Sequence, residues 1–286
     1  MIFHPDLRWA FRISVLSFWV FLTPMLRAFA GPEFSRIELL SASTAIGNGG
    51  RLLLGVRIEP KPGWKTYWRA PGESGLPPVF NFTAHENTAL PQIEWPAPKR
   101  LMQAGLESYG YDGPVIFPFY VQPRDAAKPV RIEILVDYAV CLDICVPEQA
   151  LLALTIAPGA AAMSQDRGAL LAALGKVPRQ QQDGGLHRIT ASGIIQEKQK
   201  FEYQVEAEAD QGFKAPDLFV DGAPDLMFSA PRTSYSNARR RAIFSLEVRA
   251  LNPSRPIFGQ TVTLTLVDGE SALEKQVKLA KRAGTE

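Results

Sequence analysis

The sequence predicts an all-β protein: two β-sandwich domains joined by a short helical linker. Three observations carry that expectation. Apolar and polar residues alternate along most patterned stretches, the alternating runs are short and bounded by Pro- and Gly-rich turns, and one central stretch drops alternation for a cluster of leucines. At 286 residues and 46% hydrophobic content, the chain is longer than an ordinary single domain and apolar enough for two cores.

Residues 1–30 read as a secretory signal peptide. Arg8 and Arg12 precede an apolar run from Ile13 to Leu26, and Ala28-Phe29-Ala30 precedes Gly31, so cleavage after Ala30 is expected. The run is short for a membrane span and carries Pro24, which argues against a retained anchor. Without residues 1–30, Lys+Arg and Asp+Glu are both 28, so the mature chain is nearly neutral. Such a chain has no electrostatic footprint for nucleic acid, and Arg239-Arg240-Arg241 between strand-like runs reads as a solvated turn.

Residues 31–158 read as the first sandwich. Leu52, Leu54, Val56 and Ile58 alternate with Leu53, Gly55, Arg57 and Glu59. Val130, Ile132, Ile134, Val136 and Tyr138 alternate with Arg131, Glu133, Leu135, Asp137 and Ala139, placing one face on a core and the other largely in water. Further strand-like runs lie near 78–84, 114–121 and 149–157. Trp64, Tyr67 and Trp68 read as core and strand-pair residues.

Residues 159–185 read as the linker. Pro158-Gly159 ends the strand pattern, Ser164 is placed to cap a short helix holding Leu170, Leu171 and Leu174, and Gly175 and Pro178 end it. Residues 186–286 read as a second sandwich, with Phe201, Tyr203, Val205 and Ala207, then Val262, Leu264 and Leu266, as inward positions. Asp221-Gly222 and Asp268-Gly269 mark turns. This half shows no nucleophile elbow, phosphate-cradling loop or metal spacing, so docking or spacing is its expected role.

The chain's two cysteines, Cys141 and Cys145, both lie in the first sandwich. An extended chain would hold their Cα atoms about 13 Å apart, whereas a disulfide needs roughly 4.4–6.8 Å. A bend at a hairpin tip or bulge is therefore required if they bond. As a staple the pair is poorly placed, because so short a loop contributes about 2 kcal/mol in the chain-entropy model against about 4.7 for a hundred-residue loop. An exposed, tight disulfide is more easily reduced, as a redox relay needs. Two thiolates at this spacing also suit Cu(I). Redox relay, structural staple and metal binding all remain open from spacing alone. His85 and His187 show no metal-ligand spacing, so neither a metal site nor a cofactor is expected. Asp143 and Glu148 flank the pair as candidates for proton handling, or simply as solvated carboxylates.

Three stretches in order resemble a known family: Gly63-Trp64-Lys65-Thr66-Tyr67-Trp68-Arg69 through Pro71-Gly72-Glu73-Ser74-Gly75-Leu76-Pro77, then Tyr109-Gly110-Tyr111-Asp112-Gly113, then Val136-Asp137-Tyr138 through Cys141, Cys145, Pro147 and Glu148. The family is the N-terminal periplasmic domain of the thiol:disulfide interchange protein DsbD, and more closely its ScsB-type branch. The resemblance implies an immunoglobulin-like sandwich in the periplasm that takes electrons from a membrane-embedded partner and passes them to thioredoxin-like proteins. It further implies that Cys145 attacks and Cys141 resolves, and that Tyr109 and Tyr111, in a region similar to the family's cap, shield the pair. Ser108 stands where the family's cap has phenylalanine. The chain ends at Glu286 without a transmembrane bundle or thioredoxin module, so a separate membrane electron donor is expected. A copper-binding chaperone and a non-catalytic binding module are the competing classes.

Overall fold

The alternating runs become strands in the computed structural model, which describes residues 32–282 apart from 104, 183 and 184. The signal peptide expected over residues 1–30 lies outside the described residues. The first half holds β1 (Ser35–Ser41), β2 (Leu52–Pro60), β3 (Thr66–Gly72), β4 (Val79–Glu86), β5 (Lys99–Gln103), β6 (Leu106–Tyr111), β7 (Val115–Val121), β8 (Val130–Cys141) and β9 (Cys145–Ile156). They form sheets ordered β1-β2-β7, β4-β8-β9 and β3-β6-β5. Leu54, Val56, Ile58, Phe117 and Phe119 of the first sheet share one buried cluster with Ile132, Ile134 and Val136 of the second. This is the sandwich that alternation called for, and it is immunoglobulin-like, as the resemblance implied. The third sheet meets it where β8 ends, through an antiparallel bridge between Lys65 and Cys141.

β2 departs from the half-exposed pattern, because Leu53 is buried together with Leu52 and Leu54. The cause is α1 (Arg167–Gly175), whose Leu170 clusters with Leu40 and Leu53. Gly55 permits this approach: a Cβ there would stand 2.7 Å from Leu170 Cδ2 and 2.8 Å from Ile116 Cγ2. The linker helix is thus docked on the first sandwich. Its N-cap residue is Asp166, while Ser164 accepts the Asp166 N–H at 3.1 Å and donates to the Ser41 carbonyl, tying the preceding turn to β1.

The second half holds β10 (Arg179–Gln180), β11 (His187–Glu197), β12 (Lys200–Ala209), β13 (Pro216–Asp221), β14 (Leu226–Phe228), β15 (Arg232–Ser236), β16 (Arg241–Ala250), β17 (Thr261–Asp268) and β18 (Ser271–Lys278). Its sheets run β10-β18-β17-β13 and β11-β12-β16-β14, with β15 also paired to β16. Tyr203, Val205, Phe244 and Leu246 of one sheet pack with Leu218, Val262, Leu264 and Leu266 of the other. Among the described residues no helix is long and apolar enough to cross a membrane.

Candidate functional site

β8 and β9 form an antiparallel hairpin in continuous register from Val130 opposite Ile156 to Cys141 opposite Cys145. Leu142, Asp143 and Ile144 make the turn, with the Leu142 N–H donating to the Ile144 carbonyl at 3.1 Å. The required bend is therefore a hairpin tip, where Cys141 and Cys145 are joined as a disulfide with Cα atoms 4.1 Å apart. Strand pairing explains the close approach. The Cys141 N–H donates to the Lys65 carbonyl and its carbonyl accepts the Lys65 N–H, each at 2.9 Å. With both backbone groups turned toward Lys65, Cys141 faces Cys145 as a non-hydrogen-bonded pair, the kind in which opposing Cα atoms come closest, about 4.5 Å.

The two cysteines are unequally exposed. Cys141 is 0% exposed and packs with Tyr67 and Ala139, whereas Cys145 is an exposed residue. Exposed Leu142 and Ile144 flank it on the turn. Tyr67 is also wholly buried, and its hydroxyl lies 3.2 Å from Cys145 Sγ. Three features hold it there. The Lys65–Cys141 bonds and a 3.0 Å bond from Thr66 Oγ1 to the Ala139 carbonyl clamp the start of β3 onto β8. Gly75, at φ +131°, sits so close that a Cβ would stand 2.3 Å from the Tyr67 ring. The loop carrying Gly75 is anchored by Glu73, whose N–H donates to the Glu107 carbonyl at 2.9 Å and whose carboxylate accepts the Glu107 N–H at 3.1 Å.

Tyr109 and Tyr111, expected as shields, make none of their hydrogen bonds or ring contacts with the cysteines. Tyr111 donates to the Pro96 carbonyl at 2.8 Å and packs 5.6 Å from Phe117. Tyr109 donates to Glu107 at 2.9 Å and accepts from Arg100 at 3.2 Å, and burial pushes its phenol up to about 12. Register gives the reason. Tyr67 pairs with Gly110, and Thr66 with Tyr111, so beside Tyr67 the β6 strand presents a glycine and turns both tyrosines to the core face. The hydroxyl contact falls to Tyr67 instead, and the region expected as a cap contributes one step removed, through Glu107 holding the Gly75 loop. A tyrosine two residues beyond the Lys65 pairing position was visible in the sequence; the pairing was not.

Glu148 is committed elsewhere. Three residues along β9 from Cys145, it points to the opposite face, where its carboxylate accepts the Phe34 N–H at 2.6 Å and the Ser35 hydroxyl, while Ser35 also lies 2.6 Å from the Tyr138 hydroxyl. It clamps the start of β1 to β9 and does not serve the sulfurs. Asp143 is exposed on the turn. His85 lies on β4 opposite Ile132, and His187 sits 3.2 Å from Asp268 in the second half. Among the described residues no group of three or more His, Cys, Asp or Glu gathers to hold a metal ion.

Residues 38–157, which contain β3, the hairpin and the disulfide, match the family described as the N-terminal domain of the thiol:disulfide interchange protein DsbD. This segment is a DsbD N-terminal domain. Residues 176–282 match a second family, described as a domain of unknown function (DUF8393). No curated protein matches the chain. Among solved structures, the crystal structure of the N-terminal periplasmic domain of ScsB from Proteus mirabilis is similar at 20% identity and a TM-score of 0.69, covering 88% of this chain and 95% of that one. That likeness shows a shared fold extending over both halves.

The second half braces the DsbD N-terminal domain at the strand beside its disulfide. Arg69, two residues after Tyr67, donates to Asp221 at 2.7 Å and to Glu274 at 2.6 Å. Burial opposes the Arg69 charge, but Asp221 and Glu274 outweigh it and hold its pKa above the ordinary value. Arg100 bonds Asp217 in a fork at 2.8 and 3.0 Å. Between these pairs Phe219 of β13 enters the core of the DsbD N-terminal domain, 6.0 Å from Trp68 and 5.1 Å from Tyr109. No local sequence signal marks these residues, since each reads as an ordinary strand position.

Proposed function

We propose that this chain is a periplasmic thiol:disulfide exchange protein that relays electrons through the Cys141/Cys145 couple to thioredoxin-like partners. The observation that carries this reading is the asymmetry of the disulfide: one cysteine exposed on a hairpin tip, the other wholly buried behind it. A purely structural bridge gains little from so short a loop, whereas exchange needs one cysteine that a partner can reach. Membership of residues 38–157 in the DsbD N-terminal family supports the same chemistry.

In the reduced couple, the Cys145 thiolate attacks one sulfur of a partner disulfide. A Cys145–partner bond forms, and the other partner sulfur leaves as thiolate. Cys141, too buried to meet a partner but facing Cys145 across the hairpin, then attacks Cys145 Sγ as thiolate. That step restores the Cys141–Cys145 bond and releases the partner's second sulfur. Two electrons pass to the partner, and the two protons lost by the cysteines are taken up by its dithiol. Exposed Asp143 is the carboxylate placed to exchange protons with water beside Cys145. Electrons return to the oxidised couple from a membrane-embedded donor by the reverse steps.

The test is trapping. Cys141→Ala should accumulate a mixed disulfide through Cys145 with thioredoxin-fold proteins of a periplasmic extract, and trapping only in Cys145→Ala would reverse the two roles. A reduction potential well below about −300 mV would mark the bridge as structural and end the relay reading.

A further inference from the structure

We propose that Tyr67 is the residue that stabilises the Cys145 thiolate, its phenol donating a hydrogen bond to Sγ in the reduced protein. The proposal rests on the assignment of Cys145 as the attacking thiol, but its first readout stands without it.

In the oxidised protein the Tyr67 hydroxyl is already 3.2 Å from Cys145 Sγ, within the range of a hydrogen bond to sulfur. A phenol ordinarily keeps its proton to about pH 10, so at neutral pH it is a donor, and a thiolate accepts more strongly than a disulfide sulfur. Reduction need not disturb the arrangement. Cys141 stays pinned by both its backbone bonds to Lys65, Thr66 stays bonded to Ala139, and Gly75 stays against the ring, none of which involves the sulfur bond. The ring has no room to swing away without displacing the Gly75 loop.

Exchange proceeds through thiolate, and a hydrogen bond donated to the charged form lowers a thiol pKa. The Tyr67 phenol is placed to supply that bond. During exchange the phenol keeps its proton: Cys145 gives its own to water, the thiolate accepts from Tyr67, the partner bond forms, and the departing partner thiolate takes a proton from water. Because Tyr67 touches the reacting sulfur, it is a catalytic residue in the exchange.

The measurement is the pH dependence of Cys145 alkylation by iodoacetamide in a Cys141→Ala background, checked against thiolate absorbance at 240 nm. Tyr67→Phe removes the hydroxyl and keeps the ring. It should raise the midpoint by about one pH unit, a roughly tenfold loss of thiolate below the midpoint. A midpoint unchanged within about 0.2 unit overturns the proposal. Tyr67→3-fluorotyrosine, a more acidic phenol of nearly the same shape, guards against a folding defect and must move the midpoint down; a rise or no change overturns the proposal equally. A role in packing alone would move neither profile. If the midpoints move as expected but Cys141→Ala traps no partner, Tyr67 keeps its role and the relay reading falls. If partners are trapped and the midpoints stay still, the relay stands and the role of Tyr67 falls.

Discussion

Phe219→Ala tests how the second half supports the redox site. Phe219 is 1% exposed, and its ring is met by Trp68 and Tyr109 of the first half and by the Arg100 guanidinium 5.0 Å away. Truncating a buried phenylalanine costs about 3–5 kcal/mol, more where the cavity cannot collapse. Collapse is hindered here because Arg100 is held by Asp217 and by the Leu218 carbonyl at 3.1 Å, and Trp68 by its strand. The upper part of that range is therefore expected. The neighbouring ion pairs are partly solvated, with Asp217 29% exposed at its side chain, so Asp217→Asn should cost only about 1 kcal/mol. Guanidinium unfolding followed by tryptophan fluorescence is the assay, because every tryptophan after the expected signal peptide, Trp64, Trp68 and Trp95, lies in the first half. The fluorescence transition should move although the substituted residue lies in the second half. A loss below about 1 kcal/mol, or a shift seen only by circular dichroism with fluorescence unchanged, would refute the idea that Phe219 braces the first core.

Gly75→Ala should destabilise the protein by about 1–3 kcal/mol, through both the positive φ and the clash with Tyr67, and should speed reduction of the disulfide by dithiothreitol as the ring is displaced; unchanged stability and rate together would show that the loop does not cover Tyr67. The paired change Leu142→Ser with Ile144→Ser should slow reduction by thioredoxin at least about threefold while leaving reduction by dithiothreitol within about twofold, since only a protein partner needs the apolar turn; equal slowing of both would point to a damaged hairpin. Glu206 accepts hydrogen bonds from Arg241 first and Arg282 second, which hold its carboxyl below the ordinary 4.5. A depressed carboxyl contributes stability above its unfolded value and loses it as pH falls through the folded one. Wild type should therefore exceed Glu206→Gln in stability at pH 7, with the gap closing below about pH 4; a gap constant from pH 7 to pH 3 would sink that account.

Fold and site differ in how far the sequence exposed them. The alternation from Val130 to Ala139 marks β8 because burial on one face of a sheet imposes a period of two on nearby residues. The cysteine spacing demanded a bend by chain geometry alone, and the hairpin tip supplies it. Glu148 looked like a partner of the cysteines because it is close in sequence, but a strand sends residues three apart to opposite faces. Tyr109 and Tyr111 looked like shields because their motif resembles a cap, but pairing of β6 with β3 turns them inward.

By itself the sequence determined the most regularly alternating strands, several turns and a cysteine pair that must bend to bond. Each follows from local rules acting over a few residues. Only the tertiary structure decided which cysteine is exposed, which tyrosine touches its sulfur, that α1 packs over Gly55 and that Phe219 completes the first core. These depend on contacts between residues far apart in the chain: Tyr67 and Cys145 are separated by 78 positions, and Arg69 and Glu274 by 205. No local pattern encodes such pairings, because they arise from the mutual fit of whole strands, and the chemistry of the site depends on that fit.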